Sequence, residues 1–493
     1  MSRVIVIGAG IGGATVAAIL AKEGHDVTVL EAHVYPGGCA GTFFHKGYRF
    51  DAGATLAGGF HAGGPHDVVG KMLDIDWNVC RTDPAWHVVL PDRVITRWGD
   101  TNKWHEELHN VFADSCDQKS ILRFNQSMET VSDAVWGFAS KRPAWPPSNL
   151  RQLVRTSLAV RPETLSTLPH LFQNTQAWAN LSHVHDRAFL AFLDAQLLIS
   201  AQTTSEHANS LFGAAAYDLP RKGVNHVMGG MGGISTQLID AVRRYGGQAL
   251  FRHEVTRLET KNGIVVAALT NKGLRLECDL CIANLMPWDL ARLLGDAAPA
   301  ALQVDMSRRK VQWGAFTLYA GVDAAIQPCN DHIQVVADYG RPLGETNSIF
   351  LSFSMRDDTK RAPVGTRALT MSTHTRLADW WELRERADGQ SAYEDRVALY
   401  TEKMLRNAEE AIPGLRSHIR FLLPGTPVTF RFFTRRYRGA VGGFPFTSLL
   451  KARGPWTGIP NTWLVGDSIF PGQSTAGVTM GALRVIDEIL QRL

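Results

Sequence analysis

Cysteine is scarce, with six in 493 residues. That is too few for a disulfide framework, so the sequence predicts a core-stabilised fold in a reducing, cytoplasmic setting. Long apolar runs are missing. None reaches the roughly 18 residues that cross a bilayer, and mean hydropathy is −0.09. Charge of one sign is not in excess either. Lys and Arg number 51 against 47 Asp and Glu, a net charge of +4, so no nucleic-acid partner is expected. Nor is there a long linker, a low-complexity tract or an internal repeat. At 45% hydrophobic and 20% charged, the composition is that of a folded chain. Its length fits about three domains of ordinary size, or two large interleaved lobes.

Glycine is plentiful and unevenly placed. Fifteen of 45 lie in residues 1–70 and nine in 439–481. Backbone that turns tightly or approaches a ligand is thus concentrated near both ends, which predicts that the two ends build one site. The chain opens M-S-R and runs directly into V-I-V-I-G-A-G, which reads as a buried strand and not as a signal peptide. Strand, helix and strand are predicted over Val4–Ile7, Thr15–Lys22 and Asp26–Leu30. A helix is expected around Asp186–Ile199, and short strands over 249–283 with an Asn262-Gly263 hairpin turn. Longer strands follow over 310–375, a charged helix over 378–411, and an amphipathic helix from 476 to the end.

The strongest motif is Gly8-Ala9-Gly10-Ile11-Gly12-Gly13, followed by Glu31. Gly8 permits the turn out of the strand, Gly10 clears space for a pyrophosphate, and Gly13 lets helix and strand pack closely. The helix N-terminus offers free N–H groups to the phosphates. Glu31, 18 residues after Gly13, is placed to accept hydrogen bonds from an adenosine ribose. A second glycine loop at Gly37-Gly38 gives the backbone another close approach. Near the far end, a strand runs into Gly466-Asp467. That aspartate could hold the ribityl chain of a flavin, and the helix after it could stabilise negative charge on the reduced ring.

Taken together, E-A-x4-G-G-C-A-G-T at 31–42, G-Y-R-F-D-A-G-A-T at 47–55, G-G-M-G-G-I-S at 229–235 and G-D-S-I-F-P-G-Q-S-T-A-G-V at 466–478 carry a resemblance. The chain resembles the amine-oxidase-like flavoproteins, and within them the phytoene desaturase and carotenoid isomerase branch. Arg438-Gly439-Ala440-Val441-Gly442-Gly443-Phe444-Pro445 looks most like carotenoid 3′,4′-desaturases. The resemblance implies an α/β fold with FAD as cofactor: a Rossmann-type FAD-binding lobe and an inserted α+β substrate lobe. The FAD lobe would comprise 1–105, 226–300 and 426–493, and the substrate lobe 106–225 (helical) and 301–425 (strand-rich). It also implies that Val255 flanks the adenine, and that Gly229, Gly230 and Gly232 sit near the cofactor or the substrate entrance. Many relatives carry arginine after the paired glycines. Here the residue is Cys39, and no arginine role is carried over.

Other candidates read as structural. Cys278-x-x-Cys281 lies in a buried strand and has no second pair at zinc spacing, so no metal is expected. His183 and His185 read as solvated. Arg431, Arg435, Arg436 and Arg438, interleaved with aromatics, either line a channel or face solvent. Spacing identifies no catalytic side chain and no electron acceptor.

The expected activity is desaturation of a carotenoid or similar long polyene by hydride transfer to flavin. The rivals are redox-neutral cis–trans isomerisation, saturation on reduced flavin, and a non-enzymatic isoprenoid-binding chaperone of the same fold. The intact glycine motif, Glu31 and Gly466-Asp467 argue against the chaperone. A polyene substrate resides in lipid, so peripheral docking on an anionic membrane is expected through residues 141–161. There Lys141, Arg142, Arg151, Arg155 and Arg161 meet no acidic residue. Trp145 is suited to the headgroup level, and Ser148 is expected to cap a helix carrying Leu150, Val154 and Leu158 on one stripe.

Overall fold

The run Val4–Ile7 is buried on both faces, as its β-branched composition requires. It belongs to the strand Arg3–Ile7, which pairs in parallel with Asp26–Glu31 on one side and Leu280–Ala283 on the other. Gln248–Phe251 and Thr462–Leu464 complete a five-stranded parallel sheet. The computed structural model describes residues 1–386 and 388–492. The helix Ile11–Lys22 packs against Gly232–Arg244 and the terminal helix Ser474–Leu490. The chain leaves the first strand toward one side of the sheet and later returns to the other. The crevice where strand order reverses, at the carboxyl ends of the strands, is where such sheets bind nucleotides.

A second sheet has seven strands. Its order is Ile419–Gly425, Trp313–Asp323, Thr366–Arg376, Ser348–Phe353, His332–Val336, Trp86–Val89 and Val94–Arg97. One face carries Phe316, Leu318, Leu369, Met371, Ile333, Val335 and Leu351. It packs with Trp380, Tyr400 and Met404 from the helices Leu377–Glu385 and Gly389–Ala411. The residues between these, one register step away, face the opposite direction. Residues 101–222 form helices.

Three expectations change. Residues 86–97 were expected in the first cofactor-binding segment, 1–105, but they extend the seven-stranded sheet. Trp86–Val89 pairs with His332–Val336, a partner more than 240 residues away that local pattern does not reveal. The helix expected over 378–411 is two helices. The terminal helix is buried along most of both faces, because the segment around Trp145–Gln152 covers its outer side. Arg484 bonds the Trp145 carbonyl there, and Gln152 donates to Glu488 at 3.4 Å.

Candidate functional site

Four chain segments converge on the crevice. Gly8 follows the first strand, Glu31 ends the second, Asn284 follows Leu280–Ala283, and Gly466 lies just beyond Thr462–Leu464. Gly8, Gly10, Gly12, Glu31, Gly37, Gly38, Val255, Gly466 and Asp467 all line one cavity. Gly13 does not. A Cβ there would stand 2.3 Å from the Gly8 carbonyl, so Gly13 serves helix packing, as its place in the motif predicts. Gly37 adopts φ +123°, and its N–H donates to the Ala9 carbonyl at 2.9 Å, which ties the second glycine loop onto the first.

Two residues do more than the motif indicates. Glu31 accepts from the Ala9 N–H at 2.8 Å and the His33 N–H at 2.7 Å, one bond to each carboxylate oxygen. It therefore shapes the glycine loop, and each oxygen keeps a lone pair for a further donor. Burial pushes its pKa up, while the backbone donors pull the other way. Asn284 carries no sequence signature, yet its Nδ2 lies 2.5 Å from where a Gly10 Cβ would stand. A side chain at position 10 would have to displace the Asn284 amide.

Arg436 is the second residue invisible to the motif. Its guanidinium lines the cavity and donates to both Asp467 oxygens, at 3.1 and 2.9 Å. Burial disfavours that charge, but Asp467 more than offsets this and the Arg436 pKa rises. Of the arginine cluster, Arg435 and Arg436 line the cavity, Arg431 pairs with Asp289 at 3.2 Å, and Arg438 is exposed. Arg435 is held by Glu254 at 2.9 Å.

The residues fit a dinucleotide cofactor. The helix Ile11–Lys22 starts at Gly10 with no side-chain cap and no acidic residue in its first turn, so its leading N–H groups are available to phosphate. A Gly38 side chain would meet nothing within 4 Å, which leaves that loop open. The terminal helix likewise lacks an acidic first turn and begins at the cavity wall, at Ser474 and Thr475.

The other candidates lie elsewhere. Gly230 and Gly232 pack against Thr42, and the Met231 N–H donates to Asp51 at 2.8 Å, so this segment is a helix junction off the cavity. Cys278 and Cys281 are buried and unbonded to each other, with thiol pKa values raised by burial. No cluster that could hold a metal occurs among the described residues. His183 and His185 are exposed.

The expected membrane segment is altered in detail. Asn149, not Ser148, caps the helix Leu150–Ala159, because the Ser148 N–H and hydroxyl are both turned to Gln152. The Trp145 indole N–H donates to the Leu449 carbonyl at 3.1 Å, so that ring is tied to the protein. Asp487, distant in sequence, pairs with Arg142 at 3.1 Å and Arg155 at 2.5 Å. Leu150 and Leu158 are nonetheless 76% and 80% exposed, with Val154 also outward. No helix among the described residues is long and apolar enough to cross a membrane.

Comparison with known proteins agrees with this geometry. Residues 6–74 match the model of the NAD(P)-binding Rossmann-like domain. The chain is 28% identical to prolycopene isomerase 1, chloroplastic, of an Oncidium hybrid cultivar, over 97% of its own length and 82% of the relative's. It is 21% identical to the 4,4′-diapophytoene desaturase (4,4′-diapolycopene-forming) of Methylomonas sp., over 95% and 91%. Its fold matches a putrescine oxidase structure with a TM-score of 0.63 at 13% identity, covering 100% and 99% of the two chains. The chain is thus similar, over nearly its whole length, to carotenoid isomerases and desaturases, and its fold is that of the putrescine oxidase structure.

Proposed function

We propose that this enzyme binds FAD and oxidises a carotenoid or similar long polyene by desaturation. The observation that carries the reading is the continuity of one cavity. It runs from the glycine loops and Glu31 to the seven-stranded sheet, where Trp86, Thr317 and Phe350 line it, and to Leu198 and Ile199 on the helix Arg187–Ala201. The five-stranded sheet and its helices then form the cofactor lobe, and the seven-stranded sheet with the helices of 101–222 forms the substrate lobe.

In this reading Gly10, Gly12, Gly37 and Gly38 admit the pyrophosphate, Glu31 takes the ribose hydroxyls and Val255 packs on the adenine. Asp467 takes the ribityl chain. Bound FAD supplies the hydride acceptor for a saturated carbon beside the conjugated chain. The helix N-terminus at Ser474 faces the same space and favours negative charge there. The apolar wall at Leu198, Ile199 and Phe350 excludes water and aligns the chain.

The enzyme reaches its lipid-stored substrate by docking on an anionic membrane through the helix Leu150–Ala159. Exposed Leu150, Val154 and Leu158 support this, with Arg151 outward beside them.

Anaerobic incubation of the FAD-loaded protein with a partly saturated acyclic carotenoid tests the activity. Desaturation bleaches the oxidised flavin band stoichiometrically with new double bonds. Turnover of a cis-polyene only with pre-reduced flavin, without net redox change, would instead assign isomerisation, the activity named for the prolycopene isomerase.

A further inference from the structure

The cavity reaches the surface at its adenine end. There Phe433 packs edge-on to His33 at 5.6 Å and is exposed, and so is Arg292 on the helix Pro287–Leu294, which lies against the strand Val255–Lys261. Bound FAD would fill that opening. None of the described seven-stranded-sheet residues that line the cavity is exposed. A long polyene therefore needs a second way in.

The segment 441–451 leads to one. Val441 and Gly442 line the cavity, and Leu450, near the other end, is 73% exposed. Between them Phe446 stacks on Phe212 of the helix Ser210–Tyr217, with ring centroids 4.4 Å apart and planes at 14°. The neighbours of this pair divide into two groups. Some belong to the cavity wall. The Phe446 N–H donates to the Ala201 carbonyl at 3.3 Å, next to Gln202, and the tip of its ring lies 3.1 Å from where a Gly472 Cβ would stand, next to Gln473. Gln202 and Gln473 both line the cavity. The others belong to a separate surface pocket. Asn209, whose N–H donates to the Phe446 carbonyl at 2.9 Å, lines that pocket with Thr447 and Phe172. The stacked rings thus stand between the cavity and the pocket. Both main-chain groups of Phe446 are bonded, so its backbone is held and rotation of the side chain is the movement left to it.

The pocket opens beside the surface that docks on lipid in the reading above. Phe172 at its rim is 83% exposed. The Trp145 indole bonds the Leu449 carbonyl, which sets Leu450 next to the segment that leads into the helix Leu150–Ala159. We propose that Phe212 and Phe446 form a gate through which the polyene enters from the membrane, with Phe172 and Leu450 set in lipid at its mouth. This rests on the polyene reading. A hydrocarbon passes two aromatic rings without stripping water from any polar group, and the closed stack keeps water from the reacting end.

The test mixes lycopene with the FAD-loaded protein in stopped flow, from detergent micelles and from anionic liposomes, and reads binding by quenching of tryptophan fluorescence. A gate changes entry and exit alike and leaves the equilibrium where it was. Phe446→Ala should raise the association and dissociation rates from micelles together by about tenfold, the factor that corresponds to one stacked aromatic pair. Phe446→Trp should lower both. Flavin content should not change, since neither ring lines the cavity. Phe172→Ser with Leu450→Ser should slow uptake from liposomes, compared at equal bound protein, and leave uptake from micelles at the parent rate. Unchanged rates in both Phe446 variants overturn the gate and leave the polyene reading standing. A change confined to dissociation overturns it too, because Phe446 would then be part of the wall around the bound chain. Parent-like uptake from liposomes in the surface variant overturns the mouth, a result that needs no interior variant to fold. Failure of the parent to bind lycopene from either source sinks the polyene reading itself.

Discussion

Arg436 donates to both oxygens of Asp467 across the cavity wall, at 3.1 and 2.9 Å. The aspartate that the sequence assigns to the ribityl chain is thus also the counter-ion of a half-buried cation. Asp467→Ala should therefore cost stability as well as flavin, by about 3 kcal/mol, because it leaves Arg436 unpaired. The double variant Asp467→Ala, Arg436→Met should regain much of the melting temperature without regaining flavin. Thermal melts paired with flavin absorbance check both. Full stability in the single variant would show the pair to be dispensable.

Position 10 can be dissected through Asn284. Gly10→Ala places a Cβ 2.5 Å from the Asn284 amide, so the single variant should lose most of its flavin. If that clash is the whole obstacle, Gly10→Ala with Asn284→Ala recovers binding. If the pyrophosphate also needs the space, the double variant stays largely flavin-free, and that is the expected result. Flavin stoichiometry after gel filtration decides between the two.

Acid should destabilise the protein through His66. Its ring is fully buried against Phe60 at 4.4 Å, neither nitrogen has a partner among the described residues, and burial holds its pKa down at about 3. The unfolded chain binds the proton near pH 6.5 and the folded chain does not. The stability this provides is present above about pH 6.5 and is lost as pH falls toward the folded value. His66→Phe should flatten the dependence of stability on pH between 6 and 4 by about 1 kcal/mol per pH unit. Denaturant melts at several pH values measure this, and parallel curves for parent and variant would contradict it.

Membrane docking should depend on the outward leucines and less on Arg155 or Trp145, which the protein itself engages. Leu150→Ser with Leu158→Ser should abolish most sedimentation with anionic liposomes. Arg151→Ser should weaken it by about 1 kcal/mol, an effect that salt removes. Trp145→Ser should change liposome binding little and lower the melting temperature. If the leucine double variant sediments like the parent, the docking surface lies elsewhere.

Much of the cofactor site was legible in sequence, because it is built from local rules. A β-branched run, a glycine turn, an uncapped helix start and an acid at the end of the next strand are neighbours in the chain, and backbone sterics confine them to one arrangement. Strands and helices with clear periodicity, such as Asp26–Glu31 and Arg187–Ala201, were legible for the same reason. The groups that close the site were not. Asn284 and Arg436 have no signature of spacing, since each acts on a partner, Gly10 or Asp467, that it meets only in the folded chain. The same holds for Asp487, whose charge silences two arginines of a segment that reads as purely basic, and for Trp86–Val89, drawn into the seven-stranded sheet by its parallel pairing with His332–Val336. Local sequence determined which elements form and where a dinucleotide can be held. Tertiary packing decided which side chains face the cavity and which charges remain free, because burial and pairing energies depend on neighbours that the chain meets only after it folds.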